Sequence, residues 1–226
     1  MKSSLKNMVV VLLLISAISA FLVALVNDVT KDAIAESNAK SKNAAKFLVL
    51  DTNDSEARIT RDTTCKIGDF DITVSTITRN DNDAIVGYAV EAPSITKSGY
   101  ADRITLMVGF KEEGDAAVIN AVEVLSQKET PGLGANMTKA GNSLERSIVL
   151  KNPAELTFAV SKEGGSFDAL TGSTISSRAY ANAVETAYAG YLWATGRLNT
   201  EAGAETVTGS TQQTDSNLML NSKKGE

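Results

Sequence analysis

Hydrophobic positions are concentrated at the N-terminus, where residues 8–26 form an apolar run without a charged side chain. As an α-helix this run is about 28 Å long, close to the bilayer hydrocarbon thickness of about 30 Å. A cleaved signal peptide is the alternative, but its apolar core extends over only about 7–15 residues. Here residues 21–26 continue the run past the small residues that offer a cleavage site. The pattern therefore predicts one retained transmembrane anchor within residues 1–30.

Charged residues on the two sides of the anchor bear on its orientation. Lys2 and Lys6 stand beside the terminal amine on a very short N-terminal side. Four lysines also follow the anchor, but acidic residues are interleaved with them. Because positive charge accumulates on the cytoplasmic side of a membrane protein, the local density favours a cytoplasmic N-terminus and a domain outside the cytoplasm.

The part after the anchor, residues 31–69, is predicted to be a linker helix followed by a polar segment. Residues 27–50 are rich in Ala, Lys and Asp and lack Gly and Pro, which indicates a helix leaving the membrane. Residues 51–69 are predominantly polar. We interpret them as a connection to the domain that follows.

Alternation of apolar and polar side chains predicts four strands, at residues 71–78, 84–91, 103–110 and 117–125. In the third of these, every second residue is apolar: Ile104, Leu106, Val108 and Phe110. A short turn at residues 111–116, with Gly114, joins the third and fourth strands as a hairpin. Residues 156–160 are predicted to form a further strand.

A helix is predicted from about Ser176 to Ala194, because its apolar residues lie on one helical face. We expect this face to pack in the core: Tyr180, Val184, Ala187, Tyr188 and Tyr191. Residues 200–226 contain mostly Thr, Ser, Gln, Gly and charged residues, which is typical of a disordered tail.

Composition excludes several classes of function. The net charge of −5 provides no basic surface for nucleic acid. The chain has no histidine, which removes His-containing catalytic triads and disfavours an anchored hydrolase. The one cysteine, Cys65, cannot form an intrachain disulfide or supply an iron–sulfur cluster, and we expect it to be a small, partly buried apolar residue. Redox chemistry in this chain would therefore require an organic cofactor.

A cluster of hydroxyl side chains precedes the predicted C-terminal helix: Thr171, Ser173, Thr174, Ser176 and Ser177. Ser and Thr are preferred N-cap residues, so capping is one explanation. The same arrangement suits a phosphate, because Gly172 allows a close backbone approach and the helix N-terminus stabilises negative charge. A threonine hydroxyl at this point could be esterified by a flavin phosphate.

A second constrained segment lies in the loop of residues 126–137. Pro131 fixes its own φ and keeps Thr130 extended, while Gly132 and Gly134 permit positive φ. Such a loop either presents backbone N–H groups to a ligand or forms a tight connection to residues 139–146. The residues alone leave both interpretations open.

These two segments carry a resemblance to a known family. The run Asp168-x-x-Thr171-Gly172-Ser173-Thr174 resembles the signature of covalent FMN-binding domains, and Lys128-Glu129-Thr130-Pro131-Gly132-Leu133-Gly134 looks like their second hallmark. Gly99-Tyr100 and residues 106–110 also fit the strand region of those domains. With the N-terminal anchor, the chain resembles the G subunits of Rnf ion-translocating electron-transport complexes. It is similar, less closely, to the C subunits of Na⁺-pumping NADH:quinone reductases.

The resemblance implies an α+β fold in which an antiparallel-sheet FMN-binding domain, residues 70–199, has flanking helices and follows the transmembrane helix. It also implies that an exported flavin transferase attaches FMN from FAD to Thr174, and that the domain lies on the outer side of the plasma (inner) membrane. Electron relay among the other subunits of a membrane complex follows from the same resemblance. The cofactor-binding residues that it implies are Thr174, Ser173, Gly172, Thr171, Asp168, Glu129, Thr130, Gly132 and Leu133.

Two residues depart from the family pattern. Ser173 replaces the usual Ala, so attachment at Ser173 stays an alternative, and Gln127 stands where a His often precedes the second motif. Asp168 lies six positions before Thr174, too far for its N-cap, so it either braces the loop or assists the transferase, with a metal ion as one route. The tail repeats part of the signature at residues 205–211 without an apolar helix after it, which we interpret as coincidence. The rival function is a non-redox anchored binding or scaffolding domain.

Overall fold

The computed structural model describes residues 5–68, 70–94, 104–114 and 116–197. Gly99-Tyr100, the expected tail at residues 200–226 and the second copy of the motif at residues 205–211 lie outside this range. The chain forms two compact units, Met1–Asn43 and Ala44–Glu226. Each unit is described by itself.

The first unit is part of one long helix, α1 (Leu5–Leu48), whose last residues belong to the second unit. Within α1, Asn7–Leu48 contains a stretch long and apolar enough to cross a membrane, and that stretch is 0% buried inside the protein. Beyond the apolar run the helix surface carries ion pairs between Lys31 and Asp28 and between Lys40 and Glu36. The predicted N-terminal apolar helix is confirmed, and it continues without a break into the predicted linker helix.

The second unit is built on a five-stranded antiparallel sheet with strand order β1-β2-β3-β4-β5. Its strands are β1 (Ala57–Ile67), β2 (Phe70–Arg79), β3 (Ile85–Pro93), β4 (Ile104–Glu113) and β5 (Ala116–Gln127). Each strand pairs with the next one along the chain, as in a meander. The four predicted strands and the hairpin between the last two are confirmed.

Strand β1 corrects the interpretation of residues 51–69 as a polar connection. Most of its side chains are exposed, and only Ala57, Cys65 and Ile67 are buried. Because β1 is an edge strand, it needs few apolar side chains and shows no clear alternation in the sequence. The compact unit starts at Ala44, whereas the sequence placed the start of the FMN-binding domain at residue 70.

One face of the sheet is covered by α3 (Thr174–Ala194), with a short helix α2 (Ser143–Arg146) beside it. The expected apolar face of α3 is confirmed: Tyr180, Val184, Ala187 and Tyr191 are buried, and Tyr188 is half-buried. Gly190 allows α3 to approach the sheet, since a Cβ there would lie 2.8 Å from the Ile72 side chain. Cys65 is buried in this core, and its burial raises the pKa of the thiol, as expected for an apolar packing residue.

The opposite face of the sheet packs against the end of α1 and the two residues that follow. Val49 and Leu50 are fully buried there. Two strand glycines make room for them, because a Cβ at Gly109 would lie 2.1 Å from the Val49 carbonyl oxygen and one at Gly87 would lie 2.7 Å from Leu50. Asn120 donates a hydrogen bond of 2.8 Å to the Val49 carbonyl. The end of α1 is therefore an integral part of the domain.

The predicted strand at residues 156–160 is wrong. Only Val160 forms a single bridge, to Phe167, and the chain folds back on itself between them. The Ser166 N–H donates to the Thr157 carbonyl at 2.9 Å, and the Phe167 N–H donates to the Ala159 carbonyl at 3.1 Å. The alternation of apolar residues here serves a compact loop instead of a sheet. This loop leads directly into the segment with Asp168.

Candidate functional site

The candidate site is the N-terminus of α3, which begins at Thr174. Ser173 occupies the N-cap position, but its side chain makes no capping hydrogen bond. The first N–H groups of a helix have no acceptor within the helix, so they remain oriented toward whatever lies before it. Capping by Ser173 therefore does not explain the hydroxyl cluster.

The hydroxyl groups around this helix start differ in accessibility. Ser173 is 6% exposed, Ser176 is 5% exposed and Ser177 is fully buried. Thr174 is half-buried, and Thr171 is exposed. Thr174 is thus the first helical hydroxyl that a reagent from solution can reach.

Backbone geometry before Thr174 is fixed by two features. Gly172 has φ +73°, a left-handed conformation that favours glycine. The Ser177 hydroxyl accepts from the Leu170 N–H at 3.0 Å and donates to the Ser173 carbonyl at 2.8 Å. The buried Ser177 therefore ties the motif loop to the first turn of α3.

The second motif contacts the same helix turn through Glu129. Its Oε2 accepts a hydrogen bond of 2.5 Å from the Ser176 hydroxyl, and its N–H donates to the Gln127 side-chain oxygen at 2.6 Å. Gly134 lies directly against this pair, because a Cβ there would be 2.6 Å from Ser176 Oγ and 2.8 Å from Glu129 Oε2. We call Glu129, Gly134 and Ser176 the clasp. The clasp brings together two motifs that are separated by 47 residues at this contact.

The rest of the second motif forms a turn over Gly172. The Thr130 carbonyl accepts from the N–H groups of Leu133 at 3.1 Å and Ala135 at 3.3 Å, and Gly132 has φ +80°. Leu133 is 46% exposed and approaches Gly172, where a Cβ would lie 3.5 Å from Leu133 Cδ2. The turn thus places an exposed apolar side chain beside the motif glycine.

Asp168 lies at the entrance to the motif loop and is exposed. Its Oδ1 shares the Ser161 hydroxyl as donor with the Phe167 carbonyl, at 2.6 Å and 2.8 Å, and the Asp168 N–H donates to Ser147 Oγ at 3.2 Å. Asp168 does not cap α3, as expected. The hydrogen bond from Ser161 braces the preceding loop and leaves the Asp168 carboxylate accessible.

Electrostatics around Thr174 favour an anion. The macrodipole of the 21-residue helix α3 places positive potential at its N-terminus. Arg178 follows Thr174 by one turn and is paired with Glu163, whose hydrogen bond raises the pKa of the guanidinium. The charge of Arg178 is therefore partly neutralised, and the helix terminus supplies the anion-stabilising potential, which the carboxylate of Glu129 at Ser176 partly offsets.

Two buried polar atoms of the site, Ser173 Oγ and Glu129 Oε1, have no hydrogen-bond partner among the described residues. An unsatisfied buried group of this kind costs about 1–3 kcal/mol. The Ser173 hydroxyl can donate a hydrogen bond, and the Glu129 carboxylate oxygen can accept one. The ribityl phosphate of FMN offers the complementary groups, namely phosphate oxygens and hydroxyls. The site therefore fits the cofactor that the resemblance implies.

Ser176, Ser177 and Gly134 are site residues that the sequence analysis did not assign to the site. Ser176 and Ser177 were visible only as members of the hydroxyl cluster, and Gly134 only as a turn residue at the end of the second motif. Their roles depend on contacts with Glu129 and with the motif loop, which the sequence pattern does not reveal.

Comparison with known proteins identifies the family. The FMN-binding domain family matches residues 99–189. The G subunit of the Na⁺-translocating ferredoxin:NAD⁺ oxidoreductase complex of Acetobacterium woodii is 30% identical over 181 residues, which cover 77% of this chain and 85% of that relative. The G subunit of the ion-translocating oxidoreductase complex of Aliivibrio fischeri is 37% identical over 107 residues, 45% of this chain and 47% of the relative. The corresponding protein of Pseudoalteromonas atlantica is 42% identical over 94 residues, 39% of this chain and 41% of the relative.

The Acetobacterium woodii match extends over most of both chains, whereas the chain matches about half the length of several other relatives. The chain also contains an FMN-binding domain and an N-terminal apolar helix fit for a membrane. This chain belongs to the family of G subunits of ion-translocating oxidoreductase complexes.

Proposed function

We propose that this protein is an electron-relay subunit of a membrane-bound ion-translocating oxidoreductase complex and that it carries FMN as a phosphoester on Thr174. The observation that carries the proposal is the position of Thr174 at the first residue of α3, half-buried between two buried serines. A phosphate esterified there would lie at the positive end of the helix dipole, beside N–H groups without helical acceptors.

Accessibility supports Thr174 over the neighbouring hydroxyls. Ser173 is 6% exposed, so its Oγ presents almost no surface from which to attack FAD. Thr171 is exposed but precedes Gly172 and stands outside the helix terminus. Thr174 combines access with the anion-stabilising position, so we propose it as the acceptor.

Attachment is proposed to require an exported flavin transferase that uses FAD. The Thr174 hydroxyl loses its proton and bonds to the flavin-side phosphorus, the pyrophosphate bond breaks, and AMP leaves. The exposed carboxylate of Asp168 stands at the entrance to the loop and is available to the transferase, directly or through a metal ion. Its hydrogen bond with Ser161 keeps the loop in one conformation.

Bound FMN supplies one- and two-electron redox chemistry, while the protein supplies position and environment. In the proposal, Gly172 and Thr171 leave space for the phosphate, and Ser173 and Glu129 provide hydrogen-bonding groups. Thr130 and Gly132 shape the turn that presents Leu133 as an apolar contact for the cofactor. The chain needs no catalytic acid or base for this role. Because its apolar run contains no ionisable residue, ion translocation is assigned to the other subunits.

The proposed topology has a single span in the plasma (inner) membrane, with a cytoplasmic N-terminus. The anchor lies within residues 1–30, and the flavin domain, whose compact unit starts at Ala44, lies on the outer side. Lys2 and Lys6 before the apolar run support this orientation. Covalent attachment suits a domain outside the cytoplasm, where a dissociated cofactor would be lost by dilution.

The cofactor is tested by producing wild type, Thr174→Ala and Thr171→Ala in the native host and measuring covalent flavin by in-gel fluorescence. Thr171→Ala is the matched control, because it removes an exposed threonine of the same motif. Wild type and Thr171→Ala should fluoresce, and Thr174→Ala should not. A wild type without covalent flavin would favour the non-redox anchored domain instead.

The topology is tested by adding protease to intact spheroplasts. Residues 44–197 should be digested, while a fragment with the apolar run stays in the membrane fraction. Digestion only after the membrane is permeabilised would place the domain in the cytoplasm and contradict the proposed use of an exported transferase.

A further inference from the structure

Ser173 carries a hydroxyl that the folded protein does not use. The residue is 6% exposed, and its Oγ has no hydrogen-bond partner among the described residues. Its backbone, in contrast, is fully engaged: the N–H donates to the Leu170 carbonyl at 3.1 Å, and its carbonyl accepts from the N–H and hydroxyl of Ser177. The backbone of Ser173 is therefore fixed by hydrogen bonds, while its buried hydroxyl has no acceptor among the described residues.

This unsatisfied hydroxyl destabilises the protein without its cofactor. A buried hydroxyl with no partner loses its hydrogen bonds to water and gains none in return. Alanine would fill nearly the same volume without that penalty. Burial and packing alone therefore give no reason for Ser at position 173.

The position of Ser173 indicates the partner that its hydroxyl fits. Ser173 is the N-cap of α3 and immediately precedes Thr174, yet its side chain does not bond to the first-turn N–H groups. A phosphate esterified to Thr174 would be attached to the residue that directly follows Ser173, at the start of α3. Such a phosphodiester keeps one negative charge and accepts hydrogen bonds strongly, and a hydroxyl donor to an anion forms a short, charge-assisted bond.

We infer that the Ser173 hydroxyl donates a hydrogen bond to a phosphate oxygen of the FMN ester on Thr174. Ser173 is then a positioning residue that holds the phosphate against the N-terminus of α3. This inference rests on the proposed function and adds to it a ligand outside the family signature, which has Ala at this position.

The inference predicts that Ser173→Ala changes thermal stability in opposite directions in the two forms of the protein. In the flavin-free form, the substitution removes an unsatisfied buried hydroxyl and should raise Tm by about 2–4 °C. In the flavin-bearing form, it removes a hydrogen bond to the phosphate and should lower Tm by about 2–4 °C. Thr186→Val is the matched control, since it removes a buried hydroxyl that donates to the Asn182 carbonyl at 2.8 Å, away from the start of α3, and its loss should lower both Tm values.

The experiment uses full-length protein in detergent, produced with and without the flavin transferase, and intact mass establishes the flavin content before each melt. The ³¹P resonance of the flavin-bearing protein should shift in Ser173→Ala and stay in place in Thr186→Val. Equal Tm changes for Ser173→Ala in the two forms, or an unchanged ³¹P resonance, would overturn the inference while leaving flavin on Thr174 intact. Loss of flavin in Ser173→Ala would overturn it in favour of attachment at Ser173. Wild type without bound flavin would remove the proposed function, and the inference with it.

Discussion

Adding a single methyl group at Gly134 should open the clasp. A Cβ at this position would lie 2.6 Å from Ser176 Oγ, 2.8 Å from Glu129 Oε2 and 2.9 Å from Glu129 Cβ. All three distances are shorter than real Cβ contacts allow, so the Glu129 side chain has to move. Since Glu129 and Ser176 are joined by a hydrogen bond of 2.5 Å, we expect Gly134→Ala to separate them.

The magnitude follows from three contributions. Overpacking costs about 1–3 kcal/mol, and loss of a hydrogen bond to a charged group costs about 1.5–3 kcal/mol. Gly→Ala also reduces the conformational entropy of the unfolded chain. Since Gly134 does not have a positive φ, this effect stabilises the folded protein by about 0.4–1 kcal/mol. The net destabilisation is about 3 kcal/mol, which lowers Tm by roughly 6–12 °C. Covalent flavin content should fall as well, because the second motif would no longer be held against α3.

The assay is thermal unfolding of the full chain in detergent, with Ser176→Ala as a second background. Ser176→Ala removes the atom in the shortest contact and the hydrogen bond itself. Gly134→Ala should therefore cost about half as much in that background as in wild type, as expected for residues in direct contact. Equal costs in the two backgrounds would show that Gly134 and Ser176 are not coupled and would refute the clasp.

Two further predictions concern groups outside the clasp. Burial raises the pKa of Glu185 to about 7, against 4.5 ordinarily, and a hydrogen bond with Asn182 partly opposes this shift. Because the folded protein retains a proton that the unfolded chain releases, this contribution to stability is full below pH 4.5 and is lost as pH rises through 7. Denaturation across this range should show Glu185→Gln to be more stable than wild type at pH 8 by about 1–2 kcal/mol, after allowance for solvent screening, and no more stable at pH 4. Asp168→Asn should fold normally by circular dichroism, because the amide oxygen can still accept from Ser161, but lose most of its covalent flavin, since the negative charge open to the transferase is gone. A gain for Glu185→Gln that is the same at both pH values, or full flavin content in Asp168→Asn, would contradict these expectations.

Most of the sheet could be predicted from the sequence because every second residue of its inner strands is apolar and packs in the core beneath α3. In β4, for example, Leu106, Val108 and Phe110 all point into one core, and the alternation follows directly. Strand β1 was not predicted because it is an edge strand. It is stabilised by backbone pairing with β2 more than by buried side chains, so its sequence shows no clear apolar alternation. Residues 156–160 were wrongly predicted as a strand because their alternating apolar side chains pack in a folded-back loop, where Val160 is fully buried.

In the candidate site, too, the features with local sequence signals could be predicted and the long-range contacts could not. The two motifs could be recognised from local residues, because a helix start and a proline–glycine turn leave short-range signals in the sequence. The contact between Glu129 and Ser176 could not be predicted, because it joins positions 47 residues apart and depends on how the loop returns to α3. The unsatisfied hydroxyl of Ser173 is likewise a consequence of packing, and the sequence shows only that the residue departs from the usual Ala.

The central claim is that FMN is bound to Thr174, and fragment-ion mass spectrometry of one tryptic peptide tests it most directly. Cleavage after Lys162 and Arg178 releases residues 163–178, which contain every hydroxyl of the motif. In protein from the native host, this peptide should carry the mass of one FMN less water, and the fragment ions should assign it to Thr174. Flavin on Ser173, on the tail peptide that follows Arg197, or on no peptide would contradict the account.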